Sequence, residues 1–276
     1  MSLTKSRKIL SVILTVLIAL GGILFFSSSL IKYTLCSEAY MTKIFSSDSL
    51  YSQCKDNFTD RTAVIEARSG IPAEVFETIL DNRTPAGKTA VQRIFTGNNA
   101  SLYDEALVDE FEELCLEYLN GNSLKYDKEQ IHNTAMYAAE VYSDCFGIQN
   151  CGRIQAFISN TNSQYGKYAS TGLLLLTVSI ALLLILFTKK DYVLRVIYSA
   201  FTATGLSLFL IGICALIFGL ANELMVEPHH YADALTRAVN IIFVIASVTG
   251  TVITALAISG SVSQYKKASI IRNRNE

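Results

Sequence analysis

Four stretches of this chain hold no charged residue, and each is long enough to cross a lipid bilayer. The first runs from Ile9 to Ile31, 23 residues. At a helical rise of 1.5 Å per residue it spans about 35 Å, against ~30 Å of hydrocarbon. The others cover 170–188, 196–221 and 238–261. Hydrocarbon offers no water to bond a peptide group, so each stretch must be helical. The composition agrees: 51% of residues are hydrophobic and 17% charged, where soluble chains average about 25% charged. A net charge of −1 gives no basic field for nucleic acid. Lys5, Arg7 and Lys8 resemble the start of a secretory leader, but the apolar core is longer than a leader's usual ~7–15 residues. The exit Ser27-Ser28-Ser29 also lacks an A-x-A-like cleavage site, so the first stretch is expected to stay as an anchor.

Basic residues near span ends mark the cytoplasmic side. Lys5, Arg7 and Lys8 precede the first span; Lys189, Lys190 and Arg195 lie between the second and third; Lys266, Lys267, Arg272 and Arg274 follow the fourth. Between the first two spans, residues 33–169 hold 11 Lys+Arg and 19 Asp+Glu. The spacing therefore predicts a multi-pass plasma-membrane protein. Its parts are a cytoplasmic N-terminus (1–8), spans at 9–31, 170–188, 196–221 and 238–261, an extracytoplasmic domain (32–169), a cytoplasmic turn (189–195), an outer loop (222–237) and a cytoplasmic tail (262–276). The fold class expected is an all-α membrane protein, a four-transmembrane-helix bundle with an all-helical extracytoplasmic domain inserted between the first two spans.

Within that domain, Tyr103, Leu107, Phe111, Leu114 and Tyr118 recur at helical spacing after Ser101, an N-cap type, with Gly121 as a stop. Ile131, Ala135, Ala138, Tyr142 and Cys145 form a second stripe, starting near Asp127 and ending at Gly147. Pro72 suits the first turn of a helix carrying Val75, Phe76, Ile79 and Leu80. Thr84-Pro85 opens another, with Val91, Ile94 and Phe95, that stops at Gly97. Tyr40, Met41, Ile44 and Phe45 are expected to continue the first span, and Ile154, Phe157 and Ile158 to lead into the second. A hinge at Asn160-Thr161-Asn162 is the rival to that second continuity.

Five of the six cysteines, Cys36, Cys54, Cys115, Cys145 and Cys151, fall in the outer segment, where disulfides can persist. Cys145 and Cys151 flank a short loop and are the disulfide candidates; the competing reading is buried thiols on helix faces. No phosphate-binding glycine loop, dinucleotide fingerprint, H-E-x-x-H or G-x-S-x-G is present, so no catalytic residue and no cofactor is expected. The one local polar cluster is in the second outer loop. His229, His230 and Asp233 there are candidate ligands for a divalent metal, against the alternative of a solvated turn. The spans carry no ionisable residue in their middles, which argues against a proton-coupled pump. In the fourth span Ser247, Thr251, Ala255 and Ser259 form an i,i+4 stripe of small residues, with Ala246 and Gly250 beside it. Such a stripe permits close helix packing, within the bundle or with a partner helix.

The stretch Ser69-Gly70-Ile71-Pro72-Ala73-Glu74-Val75-Phe76, placed after one N-terminal span, resembles an element of uncharacterised four-span membrane proteins of low-GC Gram-positive bacteria. The resemblance implies the same layout and no particular activity. The function expected is a non-enzymatic sensor, scaffold or accessory subunit whose outer domain binds a protein, peptide or envelope ligand. A small permease or channel subunit is the first alternative, a metal-dependent membrane enzyme the second. The expected partners are the lipid bilayer and a membrane protein or a second copy of the chain.

Overall fold

The helices begin and end where the side chains can satisfy the backbone. In the computed structural model, which describes residues 5–82, 86–96, 102–149, 151–223 and 226–274, the order is α1 (Lys5–Tyr33), α2 (Glu38–Phe45), α3 (Asp48–Ser69), α4 (Ala73–Glu77), α5 (Ile79–Asn82), α6 (Ala86–Thr96), α7 (Glu105–Gly121), α8 (Lys128–Phe146), α9 (Gly152–Leu186), α10 (Lys190–Ile217) and α11 (His229–Arg274). Side chains at 81, 82, 86–90, 223 and 267–274 lie outside the description. Among the described residues there is no strand, only an isolated antiparallel bridge between Gln149 and Glu227.

Side-chain caps start several of these helices. Asp104 accepts from the Leu107 amide at 2.8 Å to open α7, and Asp127 accepts from the Glu129 amide at 3.1 Å to open α8. The expected cap Ser101, like Thr84, Pro85 and Gly97, lies outside the described residues. A cap also decides one expectation negatively. Ser37 accepts from the Tyr40 amide and starts α2 afresh, so Tyr40, Met41, Ile44 and Phe45 do not continue α1, which ends at Tyr33. The second expected continuity is found, with Asn160, Thr161 and Asn162 inside α9. The third apolar stretch is α-helical only to Ile217, because Gly219 turns the backbone at φ +61° before a short 3-10 turn at Leu220–Glu223.

The chain divides into two compact units. The first comprises residues up to Cys36, Ser159–Glu223 and those from Ala238 on. In it lies the greater part of each of the four helices that are long and apolar enough to cross a membrane. Only 33%, 28%, 33% and 28% of their most apolar windows are buried, so most of each apolar surface faces outward. Leu184, Ile185, Leu210, Val248 and Leu256 are all more than half exposed. An apolar surface of this extent needs hydrocarbon or a partner to cover it. The inward faces are built for close approach. A Cβ on Gly21 of α1 would stand 2.8 Å from the Gly172 carbonyl oxygen of α9, and one on Gly205 of α10 would stand 2.6 Å from that of Gly250 on α11. Thr204, fully buried, donates to its own helix at Ala200 O (3.0 Å) and lies 3.3 Å from Ala19 O of α1. Leu14, Ile18, Leu183, Phe187, Val196 and Ala200 close the core between α1, α9 and α10.

Of the four stripe residues on α11, one turns into the bundle. Ser247 is buried, with Oγ 3.5 Å from Phe209 O, but Thr251, Ala255 and Ser259 face outward. Gly250 and Thr254 meet Gly205 instead, and Ala257 is buried. The reason is helical pitch. A step of four residues advances the azimuth by about 40°, so three such steps leave the face. Alternating steps of three and four, as in Ser247, Gly250, Thr254 and Ala257, hold it.

The second unit comprises Ser37–Ile158 and the segment ending at Arg237. Its centre is aromatic. Phe58 of α3, Phe76 of α4, Phe111 of α7, and Tyr142 and Phe146 of α8 are buried. The Tyr142 and Phe146 rings stack with centroids 4.7 Å apart, and Phe58 meets Tyr142 edge-on at 5.8 Å. Each such ring contributes about 1.5–3 kcal/mol by burial, and each pair about 0.5–1.5 kcal/mol more. α3 packs its Leu50, Cys54, Phe58, Thr62 and Ile65 into this core. It stops where Gly70 takes a left-handed conformation, φ +71°.

Candidate functional site

The second expected outer loop is a structural part of the helical unit, which changes the meaning of its histidines. Residues 226–235 lie as a strap against the middle of α3 and the end of α8. Gln149 N donates to Glu227 O at 2.7 Å, and Val226, Tyr231, Ala234 and Leu235 are buried. Tyr231 is 0% exposed, its hydroxyl donating to Phe146 O at 2.7 Å and its ring 5.7 Å from that of Phe45. His230 is 6% exposed. Its Nε2 lies 2.8 Å from Cys145 O, and its Nδ1 lies 3.3 Å from the Asn57 amide nitrogen. A carbonyl oxygen only accepts, so Nε2–H donates to it. Nδ1 is then the lone pair that accepts from Asn57.

Both ring nitrogens of His230 are thus committed to protein partners. His229 and Asp233 are exposed. Among the described residues no three His, Cys, Asp or Glu side chains are placed to share an ion, so His229, His230 and Asp233 do not assemble as the metal centre their spacing suggested. Alternation in burial explains this. At the start of α11 the inward residues are His230, Tyr231, Ala234 and Leu235, and His229 and Asp233 fall on the opposite face.

The cysteine candidates also differ from expectation. Cys145 and Cys151 are both free thiols and both buried. They turn to different neighbours: Cys145 Sγ lies 4.0 Å from Arg61 Nη1, and Cys151 Sγ accepts from Gln155 Nε2 at 3.2 Å. Burial pushes the Cys54 and Cys115 thiols up to about 12. Cys145 is raised too, mainly by burial, with nearby Arg61 opposing. Thiols held protonated in this way are poor nucleophiles. Arg61 pairs with Asp144 at 3.0 Å on the adjacent helix, an exposed bridge worth at most about 1 kcal/mol.

A second feature of this unit is open rather than closed. Between the end of α3 and the first half of α8 lies a cleft of about 420 Å³, lined in part by Arg68, Gln130, Asn133 and Tyr137. A neighbouring cleft of about 430 Å³ shares Asn133 and Tyr137 and extends to Tyr103, Met136 and Glu140. The two clefts adjoin at Asn133 and Tyr137 on the outward face of α8. Its position follows from the heptad-like pattern of that helix. Ile131, Ala135, Ala138, Tyr142 and Cys145 go inward, so Asn133, Met136, Tyr137 and Glu140 are left outside. Part of the lining serves the fold: Asp127 caps α8, Ser69 Oγ donates to Ile65 O, and Thr134 Oγ1 donates to Gln130 O. Met136 at 40% and Tyr137 at 37% exposure are large apolar bodies held in place by a rigid helix, the kind of residue that anchors an interface. The sequence signal for both is their outward register on a well-marked helix.

Comparison of the chain with protein-family models, with curated proteins and with solved structures finds no match.

Proposed function

We propose that this is a multi-pass plasma-membrane protein with both termini cytoplasmic. Its second unit lies outside and binds a protein, peptide or envelope ligand, so that the chain serves as a sensor, scaffold or accessory subunit rather than as an enzyme. The observation that carries the binding reading is the pair of adjoining clefts on α8, where amide, guanidinium and carboxylate groups border the exposed Met136 and Tyr137. Orientation is supported by the ten basic residues at the three proposed inner segments and the excess of acids in 33–169.

A photo-reactive residue at Met136 tests the clefts in intact cells. It is expected to give a discrete adduct that Tyr137→Ala reduces by about tenfold or more, the effect of losing an aromatic anchor. No adduct from position 136, or an equal adduct from Glu113 on the acidic face of α7, would contradict the reading.

A further inference from the structure

The strap is held by a titratable group in a place that does not tolerate its charge. His230 is the one histidine of the second unit that is buried. It joins the start of α11 to α8 through Cys145 O and to α3 through Asn57. Protonation would add a hydrogen at Nδ1, the atom that now accepts from Asn57. Asn57 can turn its amide over to present oxygen, so the cost that remains is a cation taken out of water.

We propose that residues 226–235 form an acid-released latch, docked on α3 and α8 when His230 is neutral and undocked when its imidazole is protonated.

The surroundings fix the sign. Burial lowers the His230 pKa below its ordinary value, and the Cys145 carbonyl and Asp233 oppose this only in part. On α3 and α8, Arg61 and Asp144 beside Cys145 are paired with each other. The thiols of Cys54 and Cys145 and the Tyr231 phenol are all raised by burial and stay neutral. Arg93 of α6 brings a positive charge, not a carboxylate, to the neighbouring Tyr231. No carboxylate from α3 or α8 is turned on the ring to hold an imidazolium. A histidine with a docked pKa below its free one gives docking that is constant above the free value. Docking weakens as pH falls from there toward the docked pKa, by at most about tenfold per pH unit.

Hydrogen exchange on the full chain in detergent, corrected for intrinsic rates, reads the latch directly. Between about pH 7.5 and about pH 5 the amides of 226–235 are expected to lose protection while those of α7 keep theirs. His230→Gln, which keeps a donor for Cys145 O but does not titrate, should make the profile flat. Asn57→Asp, which sets a carboxylate against Nδ1, should hold the strap docked to lower pH. The wild-type and Asn57→Asp profiles decide the matter even if His230→Gln does not fold. A flat wild-type profile, an acid loss that survives His230→Gln, or an unshifted Asn57→Asp profile would each overturn the proposal. The latch does not depend on the clefts, and its test uses no ligand.

Discussion

Val248→Lys is expected to cost about 2.5–3.5 kcal/mol in inserting its span, enough to lower the amount of correctly inserted protein at least about tenfold. Val248 is 57% exposed on α11, near the middle of the charge-free stretch 238–261. In water a substitution at so exposed a position changes stability by no more than about 0.5 kcal/mol. In hydrocarbon a lysine at mid-span carries the insertion penalty given above. The two solvents therefore predict different results for one substitution, and Glu113→Lys, exposed on α7, supplies the near-neutral control. Comparing the amounts of each variant that resist carbonate extraction from membranes checks it.

Tyr231→Ala is expected to destabilise the second unit by about 3–5 kcal/mol, the range for deleting a fully buried aromatic side chain. The cost combines a cavity beside Phe45 with the loss of the donor to Phe146 O. Tyr231→Phe keeps the ring and leaves only that carbonyl unpaired, about 1–3 kcal/mol. Denaturant unfolding of the purified chain, followed through the aromatic signal of the second unit, separates the two. If Tyr231→Ala cost no more than a surface-loop change, the connection between α10 and α11 would not be part of this core.

That connection is also where the sequence was least legible. A short apolar repeat such as Tyr231, Ala234 and Leu235 has no period long enough to reveal burial. Its partners Phe45, Cys145 and Phe146 lie far away in the chain, and a nearby His-His pair drew the eye to metal chemistry. α3 was hidden for a related reason. Its buried Cys54, Phe58 and Thr62 are scattered among polar residues, so only tertiary contact marks the inward face. By contrast α7 and α8 carry full apolar stripes with a cap at one end, and α8 was readable from Asp127 to Gly147. The apolar stretches were legible because the absence of charge over some twenty residues has few other meanings. Their packing faces were not: with small residues at both i,i+4 and i,i+3 spacing, only the helix pitch chooses between Thr251 and Gly250. The clefts were half legible, since the inward stripe of α8 implied Met136 and Tyr137 outside but not the second wall from α3.

The account rests on hydrocarbon around four helices with the acid-rich helical unit on the outer side. Single cysteines placed at Glu113, on α7, and at Lys190, at the start of α10, probe it most directly; both positions are exposed. A membrane-impermeant maleimide applied to intact cells is predicted to label Glu113→Cys at once and Lys190→Cys only after the membrane is opened. Equal labelling of both before opening, or protection of Glu113→Cys with labelling of Lys190→Cys, would contradict it.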